Sequence, residues 1–371
     1  MKHNLDRIVL PGAAEAEERA ARVVTAAFDE LRPVLRHRQA RRPLVAVAVA
    51  AAVVAAVLSP PGRAVVNQVR RAVGIDHAQP ALFSLPTTGR LLVAADSGVW
   101  IADPGGSRRL LGRFDEASWS PFGRFVVAAR QDELATLEPN GSVRWILARP
   151  DVNFPRWSGS ATDTRIAYLT RSRLHVVAGD GTDDVDIGGL PASAQIAPAW
   201  GSGFGFVLAY ADTRGRVTSI LTAKGADLWR SAPVRAPRSL EWSTDGTELL
   251  VLSKNRVFIL RARDGRVISS RVAPSTEAVA FRPGAHVVAE LRQAGEVNEV
   301  VIGGRVLFSS RGELRGLTWS PDGRWLLTGA PEADQWVFIR ADGRKIVAVS
   351  NISAQFRSRS FPRVEGWCCS R

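Results

Sequence analysis

Cysteine and histidine are too scarce in this chain to build the sites they usually build. The only cysteines, Cys368 and Cys369, are adjacent at the C-terminus. That excludes both a disulfide framework and a spaced zinc-ligand set. A bridge between the two would oppose the alternation of side chains along a strand, so two thiols flanking a final strand are expected. The five histidines, His3, His37, His77, His175 and His286, are far apart and form no metal or catalytic signature. A Gly-x-Ser-x-Gly elbow is absent, which removes the usual sequence sign of a serine hydrolase. The glycine-rich run Gly201-Ser202-Gly203-Phe204-Gly205 lacks a phosphate-loop lysine and reads as a turn. Asp180, Asp183, Asp184 and Asp186 could supply oxygen ligands to calcium. Asp180-Gly181 recurs as an Asp-Gly turn in other units, however, and a turn is the preferred reading. No catalytic residue, cofactor or metal is expected.

Lysine is nearly missing as well. It occurs only as Lys2, Lys224, Lys254 and Lys345, so the net charge of +13 is carried by arginine. The arginines are scattered, with no dense run beyond 36–42. Basic charge supplies only the non-specific half of nucleic-acid binding, and nucleic acid is the disfavoured partner.

There is one long hydrophobic run. Leu44–Leu58 is uninterrupted, and with Pro43 and Ser59 it spans 43–59. That is at the short end of the roughly 17–25 residues a bilayer-spanning helix needs, so Arg41, Arg42 and Arg63 would have to snorkel. Pro43 suits a first turn, and Pro60-Pro61-Gly62 stops the helix. A cleaved signal peptide fits less well, because the region before the core is long and no small-x-small site follows. A buried soluble helix is the remaining alternative. Arg32, Arg36, Arg38, Arg41 and Arg42 lie upstream of the run, and Arg63, Arg70 and Arg71 lie downstream. This bias favours a cytoplasmic N-terminus and an external C-terminal part. The expected order is a helical segment over 1–42, an anchor helix over 43–59, a juxtamembrane linker over 60–89 and a domain over 90–371.

That domain repeats itself. An aromatic recurs at Trp119, Trp157, Trp200, Trp242, Phe281 and Trp319, with spacings of 38, 43, 42, 39 and 38 residues. In the last unit, Arg315–Ser320 reads as a strand and Pro321-Asp322-Gly323-Arg324 as a tight turn. Trp325–Ala330, Gln335–Arg340 and Lys345–Ser350 read as three further strands. Four short antiparallel strands per forty residues make one propeller blade. The Trp-Ser-Pro-Asp-Gly-Arg pattern, followed by a branched strand and an Asp-Gly turn, resembles the TolB-type, WD-like propeller repeat. The resemblance covers roughly 90–369. It departs at Trp200, where Gly201-Ser202-Gly203 stands for Ser-Pro-Asp, and at Phe281, which replaces tryptophan.

The ends of the array predict its closure. Arg90–Ala95, Val99–Asp103 and Ser107–Arg113 match the second to fourth strands of a blade that lacks its first. Val364–Cys369, with Trp367, is an orphan strand. Pairing it beside Arg90–Ala95 gives an all-β, seven-bladed ring without an open edge at the join. The repeated aromatics are expected in the core, and Trp336 is a candidate surface contact. The function expected is a non-enzymatic, membrane-anchored module that binds a protein or envelope component. An external sensor signalling through the single helix to a cytoplasmic partner, like membrane anti-sigma regulators in layout only, is the alternative. An enzyme using the central pocket is a third, disfavoured for want of a histidine or acidic cluster.

Overall fold

The computed structural model describes residues 78–79, 84–160, 162–187, 191–201, 206–222 and 225–369. The anchor at 43–59, the segment 1–42 and most of the linker lie outside these residues. Among the described residues no helix is long and apolar enough to cross a membrane.

Seven antiparallel four-stranded sheets form seven blades. Blades 2 to 7 run in chain order over 116–148, 152–186, 199–230, 237–272, 276–310 and 315–350. Blade 1 takes its last three strands from 90–112 and its first from Arg363–Cys368. That closing strand pairs antiparallel with Arg90–Ala95, with Leu91 opposite Trp367 and Leu92 opposite Gly366. The first strands of neighbouring blades touch one another all the way round, which puts them nearest the axis.

The blade sequence follows from this geometry. Successive side chains of a strand point to opposite faces, and here both faces meet another blade. In Arg90–Ala95, Leu91 and Val93 pack toward blade 7, while Leu92 and Ala94 pack toward blade 2. A strand buried on both sides has no polar face, and Leu91-Leu92-Val93 is an unbroken apolar run for that reason. Buried clusters fill each of the seven seams. Fourth strands lie at the rim, and most of the exposed large apolar residues sit on them, Val267, Ile268 and Val272 among them.

The turn between first and second strands is held by side chains. Ser320 Oγ accepts the N–H of Trp325 (2.9 Å) and donates to Asp322, which also accepts the N–H of Arg324 (3.0 Å). Ser243 and Asp245 repeat the device in blade 5. These Asx turns replace backbone bonds that a tight connection leaves unmade.

Three local features differ from the sequence reading. Ala78–Gln79, inside the stretch read as linker, adds a parallel strand to the outer edge of blade 7, with Ala78 opposite Ala348. A short helix, Ile352–Gln355, lies between the last strand of blade 7 and the closing strand, where the sequence pattern offers no element. Cys368 and Cys369 are disulfide-bonded, not free thiols. The strand ends at Cys368, so side-chain alternation does not govern Cys369.

Candidate functional site

The innermost strands have no neighbour on the axis side, and their backbone groups need partners. The blades supply them reciprocally. Trp200 donates its indole N–H to the carbonyl of Arg156 (2.8 Å), Trp242 to Ala199 (2.9 Å) and Trp319 to Ala280 (3.3 Å). Each acceptor immediately precedes the aromatic of the blade before. In return, Ser118 Oγ accepts the N–H of Trp157 (3.4 Å), and Glu241 Oε1 accepts that of Phe281 (3.2 Å). The repeated aromatics Trp119, Trp157, Trp200, Trp242, Phe281, Trp319 and Trp367 thus sit on the first strands, where neighbouring blades meet. All but Trp200 are buried. The indole N–H groups of Trp119, Trp157 and Trp367 have no partner among the described residues.

The same strands carry charge into the ring. Arg156 is half-buried next to Glu116, Glu365 and Arg363. Glu116 accepts the N–H of Phe154 (2.6 Å), and Glu365 holds Arg363 (2.6 Å). Desolvation lowers the Arg156 pKa and raises that of Glu365, against the opposing pull of their charged neighbours. Glu241, on the far side of this cluster in sequence, is pushed up to about 8 by burial, with only the Phe281 N–H favouring its charged form. The sequence reading passed over all of these residues. Single charges on strands flanked by aromatics look like solvent-facing positions, and only ring closure brings them together.

A second polar cluster lies at the seam of blades 2 and 3. Arg149 donates to Asp184 (2.8 Å), which also accepts the Tyr168 hydroxyl (2.6 Å). His175 stacks on Tyr168 at 5.1 Å, and burial lowers its pKa. Asp186 pairs with Arg173 (2.6 Å), and Asp180 accepts both the N–H and the hydroxyl of Thr182 (3.0 and 2.7 Å). Asp180, Asp184 and Asp186 of the group considered for calcium therefore have separate partners. No group of three or more potential metal ligands occurs among the described residues. Trp336, considered as a surface contact, is 1% exposed and packs on Phe356 at 5.2 Å. A third strand is covered on both faces, and that buries it.

One face of the ring breaks the repeat. Blade 2 has Ser120-Pro121-Phe122-Gly123 where blade 7 has Ser320-Pro321-Asp322-Gly323. Phe122 has φ 64° and is 63% exposed. Beside it a cavity of about 350 Å³ opens between blades 2 and 3, lined by Arg124, Phe125, Thr136, Arg144, Trp145 and Trp157 among others. Phe125 stacks on Trp157 at 6.0 Å, and Arg144 lies over Phe125 at 5.0 Å. A second hollow of about 280 Å³, where blades 7 and 1 meet, is bounded by Arg315, Arg363, Trp336 and Phe361. There both arginines are paired, with Glu313 and Glu365. The departure from Pro-Asp-Gly at residue 122 was the available sequence signal for this face.

No protein-family model and no curated protein sequence matches the chain. Solved structures do. Hsv2 of Kluyvelomyces marxianus is 8% identical with TM-score 0.52, covering 70% of this chain and 93% of that one. Hydrazine synthase of Kuenenia stuttgartiensis is 17% identical with TM-score 0.49, covering 61% and 76%. A chain of a mitotic checkpoint complex is 15% identical with TM-score 0.49, covering 63% and 77%. At such identities the likeness to Hsv2 shows the fold alone.

Proposed function

We propose that the chain is a non-enzymatic interaction propeller whose face at blade 2 binds a protein partner. Residues 43–59 hold it to a membrane, with 1–42 cytoplasmic and the propeller outside. The observation that carries the reading is Phe122, a large apolar side chain exposed in a left-handed backbone conformation. That conformation costs an ordinary residue about 1–2 kcal/mol. Where the repeat uses aspartate to hold this turn, blade 2 lacks the two bonds that aspartate makes, keeps the Ser120 bond to the Phe125 N–H (2.8 Å), and gains an exposed ring. A local rule broken without compensation inside the fold is expected at a functional position. Exposed aromatics with nearby arginine are also the residue types that dominate interface energetics.

The test is a benzoylphenylalanine photo-crosslinker at position 122 of the full chain in its native membrane, with position 267 on the outer rim as control. A discrete adduct from 122 and none from 267 is expected. Identical patterns from both positions would reject this face. Carbonate extraction tests the anchor separately, and release of the full chain into the wash would remove it.

A further inference from the structure

The cavity beside Phe122 carries two arginines, Arg124 and Arg144, against one acid, Asp180. Arg124 is exposed at its edge and its side chain has no partner among the described residues. Arg144, which lines the same cavity and lies over Phe125 (5.0 Å), makes one exposed pair with Glu138 (3.2 Å). Deeper in, two lining side chains have polar atoms that are buried without a partner, the Trp157 indole N–H and the Thr136 hydroxyl. Thr136 is 1% exposed and Trp157 9%. These two atoms are closed off from solvent, so they mark an unfinished seam behind the cavity and are not contacts for a ligand. The lining acid, Asp180, already accepts two bonds from Thr182. The hollow between blades 7 and 1 has the same residue types but paired arginines, and the Thr328 hydroxyl there donates to Arg315 O (3.3 Å). That hollow is finished internally, and the blade 2–3 cavity is not.

The geometry points to this cavity as a subsite for an acidic side chain of a protein partner, seated between Arg124 and Arg144 with its stem on Phe125 and Phe122. This rests on the interaction-face reading and adds the chemistry of what that face selects. A carboxylate meets two guanidinium groups with charge-assisted bonds, and the aromatic wall accepts the methylene stem. A volume near 350 Å³ is at the low end for small-ligand pockets, and fits one inserted side chain and a water.

The test uses the full chain in detergent with immobilised pools of capped hexapeptides, the central residue fixed as Glu, Gln, Lys or Phe and the rest randomised. The Glu pool should be retained about tenfold over the Gln pool, one charge-assisted contact's worth. Arg124→Gln should erase that preference and Arg124→Lys should keep part of it. Equal retention of Glu and Gln pools, or a preference that survives Arg124→Gln, overturns the subsite. So does glutarate binding as tightly as the Glu pool, which would mark a small-acid site instead. Release of every pool by Phe122→Asp, with no effect of Arg124→Gln, sinks the subsite and leaves the face. Retention unchanged by Phe122→Asp, with the Glu preference lost in Arg124→Gln, does the reverse.

Discussion

The seam where the chain's two ends meet and the seam between blades 2 and 3 are built to opposite standards. Between blades 7 and 1, Trp100, Trp325, Trp336, Phe338, Phe356 and Trp367 pack in one cluster, with Ile352 of the short helix among them. Asp96, in the turn after the first strand of 90–112, binds the N–H groups of Arg359 and Ser360 (both 2.8 Å) just before the closing strand. The Ser360 hydroxyl, donating at 2.7 Å, and then those N–H groups hold the Asp96 pKa down at about 2. Thr87 in turn donates to Asp322 (2.7 Å), covering the turn of blade 7. The blade 2–3 seam has a continuous chain through it and keeps a larger cavity (about 350 against 280 Å³), two unpaired buried polar atoms against the one of Trp367 at the closing seam, and a bare Phe122. The seam with no covalent continuity is held by aromatic packing and a latch, whereas the seam the chain already connects is left incomplete.

Removing the closing strand would break this contrast at its strongest point. A chain ending at Val364 loses Trp367, buried at 8% exposure, and the pairing with Arg90–Ala95. Loss of one buried tryptophan costs about 3–5 kcal/mol, and the freed edge adds to that. Thermal unfolding should show a large drop in Tm. A truncated chain that melts within about a degree or two of the parent would mean that this seam does not hold the ring together.

That strand was legible in the sequence because its signal is local: branched residues, an aromatic at the repeat position, and a missing partner at the other end. The same locality gave Arg90–Ala95, Trp325–Ala330 and Gln335–Arg340 their bounds. Ala78–Gln79 carries no such signal, since two residues added in parallel at an edge impose no pattern. Trp336 is buried and not a surface contact because the third strand Gln335–Arg340 is covered on both faces. Glu116, Arg156 and Glu365 are separated by up to 249 residues, and their relation exists only once the ring closes. The anchor expected at 43–59 lies outside the described residues and rests on length and hydropathy alone.

The blade 5–6 seam sharpens the comparison, because its buried acid is satisfied by one backbone N–H and no cation. Glu241 has a folded pKa near 8, above the ordinary carboxylate value of 4.5. Between those values the folded state holds a proton that the unfolded chain has released. Its contribution is therefore greatest below about pH 4.5 and is lost as pH rises toward 8, at no more than about 1.4 kcal/mol per pH unit. Glu241→Gln keeps an oxygen for the Phe281 N–H and removes the titration. The variant should match the parent near pH 5 and exceed its Tm at pH 8. Parallel pH profiles for the two proteins would show that the carboxyl is solvated along the axis.

The smallest expected effect addresses the open seam itself. Phe122→Asp restores the residue that blades 5 and 7 use at this turn, Asp245 and Asp322. Ser120 is already in place, its Oγ accepting the N–H of Phe125 (2.8 Å) as Ser320 accepts that of Trp325. An aspartate at 122 can accept from Ser120 and Arg124 as Asp322 does from Ser320 and Arg324, and it tolerates a left-handed conformation better than phenylalanine. Nothing of the core is removed, because the ring is 63% exposed. Gly123 must stay glycine, since it has φ 63° and a Cβ there would lie 2.9 Å from Arg90 Nη2 and 3.1 Å from Cys369 Sγ. The variant should be more stable by about 1 kcal/mol, read as a higher urea midpoint at unchanged slope. A stabler protein that no longer engages its partner would mean that blade 2 gives up local stability for contact. A variant less stable than the parent would mean that the phenylalanine ring packs usefully at home, and the contrast between the two seams would lose its functional meaning.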